Sequence, residues 1–196
     1  MLQFINYDIA GAAIDYGNLV EAPALAEKVA TKSQRALLFV RIAAKSLKSG
    51  DKSGALDLLN RARALVRDPG EPELQAGVLL AVASVYVQFD PLEATVVMRE
   101  AIKAVNHVKD RIPGAAFSVL RRVELGCNGE DRWYGGTEGS ETFSLYETLG
   151  VIASSDVQGQ GALSLASELE DRPTRIRAQL SVIKAVMNSS PVEAHN

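Results

Sequence analysis

One cysteine, one tryptophan and two histidines in 196 residues leave this chain few of the groups that do chemistry. Cys127 alone can form no disulfide within the chain, and no cluster of thiols exists to hold a metal, so a reducing setting, the cytoplasm, is expected. Aromatic residues make up only 6%, and strand formers do not gather in alternating runs. Neither sign of charge dominates. With a formal net charge of −3 there is no basic field to draw nucleic acid or an acidic membrane. The most apolar stretch, Gly77 to Val87, falls well short of the ~20 residues that a membrane span needs. Flanked by Gln75, Gln88 and Asp90, it reads as a buried helix. The opening residues carry no basic group ahead of their apolar run, as a secretory leader would require. Hydrophobic residues at 47% and charged residues at 23% also exclude a disordered chain.

What remains is helix punctuation. Ser33 can open a helix that Ser49-Gly50-Asp51 closes near Lys48. From about Ser53 to Val66 an apolar stripe of Leu58, Leu59, Ala62, Leu65 and Val66 opposes Asp57, Asn60, Arg61 and Arg63. Asp68-Pro69-Gly70-Glu71-Pro72 is a break, and Pro72 suits the first turn of the next helix. Asp90-Pro91-x-Glu93 opens a helix running to about Val108, with a capping acid, a proline and a second acid at the positive end. Another amphipathic stretch carries Ala116, Phe117, Val119, Leu120 and Val123. Helices are then expected from about Glu141 to Ser154, Val157 to Glu170 and Pro173 to Asn188. Residues 126–140 hold five glycines and no apolar period, so they read as an irregular loop, and 189–196 as a polar tail.

The chain also repeats itself. Phe4-x-x-Tyr7-Asp8-x-x-Gly11 returns as Phe143-x-x-Tyr146-Glu147-x-x-Gly150, Leu25-Ala26 as Leu165-Ala166, and Arg35 as Arg175. Such a period means small units, each completed by its neighbour. Three stretches share one spacing: Phe39-x2-Ile42-Ala43-x11-Ala55-x3-Leu59-x2-Ala62, Val78-x2-Ala81-Val82-x11-Ala94-x3-Met98-x2-Ala101, and Tyr146-x2-Leu149-Gly150-x11-Ala162-x3-Ala166-x2-Leu169. The first unit, with Tyr7, Ala10, Gly11, Ala22, Ala26 and Val29, fits if its turn is one residue shorter. Small residues suit points where helices cross, and larger ones fill the gaps between pairs.

This spacing resembles the tetratricopeptide repeat, a pair of antiparallel helices in ~34 residues. The resemblance implies an all-α fold, a right-handed α-solenoid of about nine to ten helices forming one domain over 1–188, interrupted at 126–140. It lacks the family's tryptophan, and the closing proline is displaced. The interval from Lys109 to Thr142 is one repeat long but has no second helix. Such an array implies a concave groove lined by first helices: Leu37, Val40, Arg41 and Ala44, then Ala76, Leu79, Leu80, Ala83 and Tyr86, then Phe117, Leu120 and Arg121. The family's polar clamp for a terminal carboxylate is missing from that set. It therefore describes either an apolar groove for a helix or extended segment, or the core of a tightly wound stack.

Catalysis finds little support. His107 is the one imidazole outside the tail and would have to serve Cys127 or a serine as base; a helix-end histidine is the simpler account. The acids, Glu93, Glu100 and Glu168 among them, form no evident pair in an apolar pocket, and surface ion pairs account for the arginines. The glycine-rich loop lacks a phosphate cradle's lysine and calcium's alternating ligands. Trp133 and Tyr134 either anchor a partner or fold back over the core. The expected role is a non-catalytic scaffold for a protein or peptide, without cofactor or metal, binding through Tyr86, Phe117, Leu120, Arg121, Trp133 and Tyr134. A structural subunit or fragment of a larger repeat assembly is the alternative, and a ligand-binding or enzymatic domain a more distant one.

Overall fold

The computed structural model describes residues 2–67, 72–108, 144–155 and 159–189. Among them are nine α-helices and no strand: α1 (Leu2–Asp15), α2 (Ala22–Glu27), α3 (Lys32–Lys48), α4 (Lys52–Leu65), α5 (Pro72–Tyr86), α6 (Pro91–His107), α7 (Leu145–Ser155), α8 (Gln160–Ser167) and α9 (Arg172–Ser189). The protein is all-α over this range. At α4 and α6 the boundaries fall where the punctuation places them, whereas α3 starts ahead of Ser33, with Thr31 at its N-cap, and the helix expected from about Glu141 is described from Leu145. Asp51 accepts the Gly54 N–H at 2.8 Å to cap α4, and Asp90 accepts the Glu93 N–H at 3.1 Å to cap α6, with Pro91 in the first turn. Gly50, at φ +89°, ends α3 in a conformation that costs a side chain little only when there is none. Helix α8 stops at Ser167, short of the expected Glu170.

Turns this tight decide the packing. Ser49 to Asp51 separate α3 from α4, and Val87 to Asp90 separate α5 from α6, so each second helix has to run back along the first. The packed pairs are α1 with α2, α3 with α4, α5 with α6 and α7 with α8. First helices also lie on first helices: α1 on α3, α3 on α5, α5 on α7 and α7 on α9. Second helices touch the next first helix in each case. Ala43, Ala55, Ala94 and Ala162 are fully buried, as are Phe39, Ile42, Leu59, Val78, Met98, Leu149 and Leu169 from the same spacing. Gly150 behaves differently. A methyl added to it would meet Ala185 Cβ and Ser181 Oγ at 3.7 Å, so it faces α9, the next first helix, rather than its own partner α8.

Residues 109–143, with the expected loop at 126–140, lie outside the described residues. Beyond them α7 packs directly on α5 and α6, and α8 on α6. Asn106 of α6 closes that joint. Its side-chain amide donates to Glu168 O at 2.8 Å and accepts the Glu170 N–H at 3.1 Å, while Arg99 meets Glu168 at 2.9 Å.

The echo in the sequence is a structural echo, at a separation of 139 residues in the first helix and 140 beyond it. Each copy's short second helix ends in a tightened turn: Lys28 N–H donates to Leu25 O and Val29 N–H to Ala26 O, as Glu168 N–H does to Leu165 O and Leu169 N–H to Ala166 O. Tightening strands a carbonyl beyond the helix end. Arg35 reaches back to it, donating to Val29 O at 2.8 and 3.0 Å, and Arg175 donates to Leu169 O at 2.8 Å. The carbonyl just before is taken by an asparagine from an earlier helix, Lys28 O by Asn6 and Glu168 O by Asn106. Gly11 faces Arg41 of α3 at 3.5 Å, as Gly150 faces Ser181. The triplets α1–α2–α3 and α7–α8–α9 are one design used twice.

Candidate interaction surface

The structure takes Tyr86 off the list of open contacts. It is 2% exposed, its ring 5.4 Å from that of Phe89, and burial, followed by the nearby Glu93, pushes its phenol above the ordinary value. It holds the corner between α5 and α6 from inside. Phe117, Leu120, Arg121, Trp133 and Tyr134 lie outside the described residues. The rest of the expected groove is core: Leu37, Val40, Ala44, Ala76, Leu79, Leu80 and Ala83 are all buried, and Arg41 pairs with Asp15 at 3.0 Å. Of the two readings of that set, a tightly packed stack describes these positions.

Charged groups near one another serve as ties. Arg63 of α4 spans two acids of α6, donating to Glu93 at 2.8 Å and to Glu100 at 2.5 and 3.0 Å. The hydrogen bond to Glu100, against the opposing effect of burial, raises the guanidinium pKa further. A carboxylate pair clamped this way is not free to divide acid and base roles between its members. His107 closes α6 with its Nδ1 2.7 Å from Lys103 O, and Cys127 is outside the described residues. Among the described residues no group of three or more metal-ligating side chains occurs, and no helix is long and apolar enough to cross a membrane. A cavity of about 200 Å³ beside Thr31, Lys32, Leu65 and Leu74 is smaller than the ~300–1,000 Å³ usual for ligand pockets and brings no reactive groups together. The Tyr146 hydroxyl is buried without a partner among the described residues.

An open apolar surface does exist, on α9. That helix is apolar on two opposite sides. Thr174, Ala178 and Val182 are buried against the rest of the stack. Half a turn away stand Ile176, Leu180, Ile183 and Met187, exposed to 44, 60, 45 and 71%. A spacing of i, i+4, i+7 and i+11 puts all four on one line. Single exposed leucines are ordinary, whereas an aligned row of large apolar side chains marks a contact surface. No family model, curated protein or solved structure matches this chain. What the row does is therefore a matter for its own geometry and charge.

The internal duplication supplies a control. Subtracting 140 from each position gives Ala36, Val40, Ala43 and Leu47 on α3, of which the first three are fully buried and Leu47 is packed on the core. There α4 and α5 lie on α3. Among the described residues the same face of α9 is bare. The signal was available in the sequence, because Ile176, Leu180, Ile183 and Met187 form a stripe of their own beside that of Thr174, Ala178 and Val182. A helix apolar on two sides is built to be covered on two sides.

Proposed function

We propose that this protein is a non-catalytic interaction scaffold, an α-solenoid of stacked antiparallel helix pairs with tetratricopeptide-like geometry, and that its working surface is the outer face of α9 rather than a concave groove. The ladder of contacts between successive first helices supports the solenoid, as does the burial of nearly every position of the shared spacing. Support for a binding role comes from the bare row on α9, whose counterpart on α3 is covered by helices. A helical segment presented by another chain would fit such a face, since side chains one and two turns apart read each other across a groove.

Leu180→Glu with Ile183→Glu tests this. Both sites are exposed, so the double variant should keep the wild-type helical signal and melt within about 2 °C of it. Protein partners retained by the wild-type chain from a lysate, counted by mass identification, should fall about tenfold or more. Equal recovery of the same partners by both forms would overturn the role of α9.

A further inference from the structure

The first two described helices and the last carry opposite charge, although Lys28 follows the former and Glu168, Glu170 and Asp171 precede the latter. In the first 27 residues there are four acids, Asp8, Asp15, Glu21 and Glu27, and no lysine or arginine; Arg172–Ser189 holds Arg172, Arg175, Arg177 and Lys184 and no acid. These segments form α1–α2 and α9, the first and last members of the packing order. We infer that the chain stacks head to tail on itself, the outer face of α9 in one copy seating on the acidic α1–α2 pair of the next. This rests on the reading of α9 as the working surface and names its occupant.

Both faces are open and apolar as well as charged. Along α1, Ala10 and Ile14 are buried, while Asp8, Ile9, Ala12 and Asp15 are exposed on the other side, with Tyr16 and Val20 exposed just beyond its end. The duplication shows what each face meets inside the molecule. Ile9 corresponds to Thr148, 139 residues on, which is buried in a helix that has α5 and α6 packed on it. The α9 row corresponds to the α3 face that α4 and α5 cover. So α9 presents the side that, in the other copy of the motif, lies toward a following unit, while on α1 Ile9 alone has a buried counterpart: Glu147, Val151, Ser154 and Ser155, which correspond to Asp8, Ala12, Asp15 and Tyr16, are exposed. A second copy seated on α9 supplies that following unit.

Charge chooses between this arrangement and a symmetric one. Joining α9 to α9 across a two-fold axis would bring two sets of four cations together, whereas joining α9 to α1–α2 pairs cations with acids. Some of those charges are already engaged: Asp15 with Arg41, Glu27 with Arg35 and Arg61, Glu21 with Asn18, and Arg175 with backbone carbonyls. Asp8 on one side and Arg172 and Lys184 on the other are exposed at the faces themselves. A head-to-tail contact leaves the same two faces free at the ends of every assembly, so growth continues past the dimer. One helix face against one pair is a small interface, below about 1,200 Å² in total, and each joint should be weak.

Sedimentation of the purified chain over about 1–500 µM tests the inference, with helical content followed by circular dichroism in every variant. At about 50 mM salt the average mass should rise with concentration and pass the dimer. It should fall back toward the monomer at about 500 mM salt, where the screening length is only a few ångströms. Leu180→Glu/Ile183→Glu and Asp8→Lys/Glu21→Lys should each be monomeric, at least about tenfold weaker in self-association. Mixed together, they should form a dimer that grows no further, because one retains an intact α1–α2 face and the other an intact α9 face. A dimer plateau indifferent to the charge at Asp8 and Glu21 would overturn the inference in favour of a symmetric contact. A monomer under all conditions would also overturn it, and would leave α9 to other chains if capture still depended on Leu180 and Ile183; loss of that dependence too would remove the proposed function.

Discussion

Truncating Phe39 to alanine should cost about 3–5 kcal/mol, measured as a loss of unfolding free energy in denaturant. Phe39 is 1% exposed and sits on α3, which touches α1, α2, α4 and α5 and therefore joins three successive pairs. The removed ring would leave a cavity that helices fixed on several sides cannot collapse to fill. It also carries the Arg61 guanidinium 4.4 Å above its centre, a contact that adds a few tenths of a kcal/mol to about 1 kcal/mol at a site of this exposure. Against a total stability of about 5–15 kcal/mol, the loss would be large. A cost below about 1 kcal/mol would mean that α3 is not enclosed in this way.

The second large effect is expected at the turn into α8. Gly159 is at φ +61°, and a Cβ placed on it would lie 2.5 Å from Val186 Cγ2 of α9. Alanine there meets two penalties, the left-handed backbone at about 1 kcal/mol and the displacement of a stiff, branched side chain. We expect Gly159→Ala to cost about 2–3 kcal/mol. Gly17 and Gly50 separate the two contributions, because they share the positive φ but have nothing within 4 Å of the added methyl. Alanine at either should cost only the backbone share, about 1 kcal/mol. If all three variants melt alike, α9 does not press on the α7–α8 turn.

Much of the architecture was legible because it rests on local chemistry. Caps at Asp51 and Asp90, the glycine at 50 and the prolines at 72 and 91 fix helix ends through hydrogen bonds and backbone geometry that reach no further than a turn. The pairing of Arg35 with Arg175 was legible too, since both answer the same need: a carbonyl left over by a tightened helix end. Positions that had to be small, such as Ala43, Ala55, Ala94 and Ala162, also declared themselves. What periodicity encodes is that a side chain is buried, and it says nothing of which helix does the burying. Hence Gly150 could be read as a crossing point while the direction it faces, toward α9, could not.

The same gap explains the candidate site. Leu79, Leu80 and Tyr86 are apolar whether they line a groove or fill a core, and only the stack shows that they fill it. Nor could a count of residues show that α7 packs on α5 and α6, because those contacts join residues distant in sequence. The α9 row is hard to read for another reason. One apolar stripe already accounts for a helix, and a second stripe on the same helix does not say whether anything covers it. The net charge hides the contrast between α1–α2 and α9, since the four acids of 1–27 and the four bases of 172–189 cancel in it.

The most direct test of the account concerns whether successive first helices lie side by side. In a Cys127→Ser background, Gly150→Cys and Ala185→Cys would place two Cβ atoms 3.7 Å apart across α7 and α9, close to the ~3.8 Å typical of disulfides. Mild oxidation of the folded protein should join them, seen as the loss of both free thiols and of two mass units. Two thiols that stay reduced in a folded, helical chain would place α7 and α9 apart and contradict the stacked order of the helices.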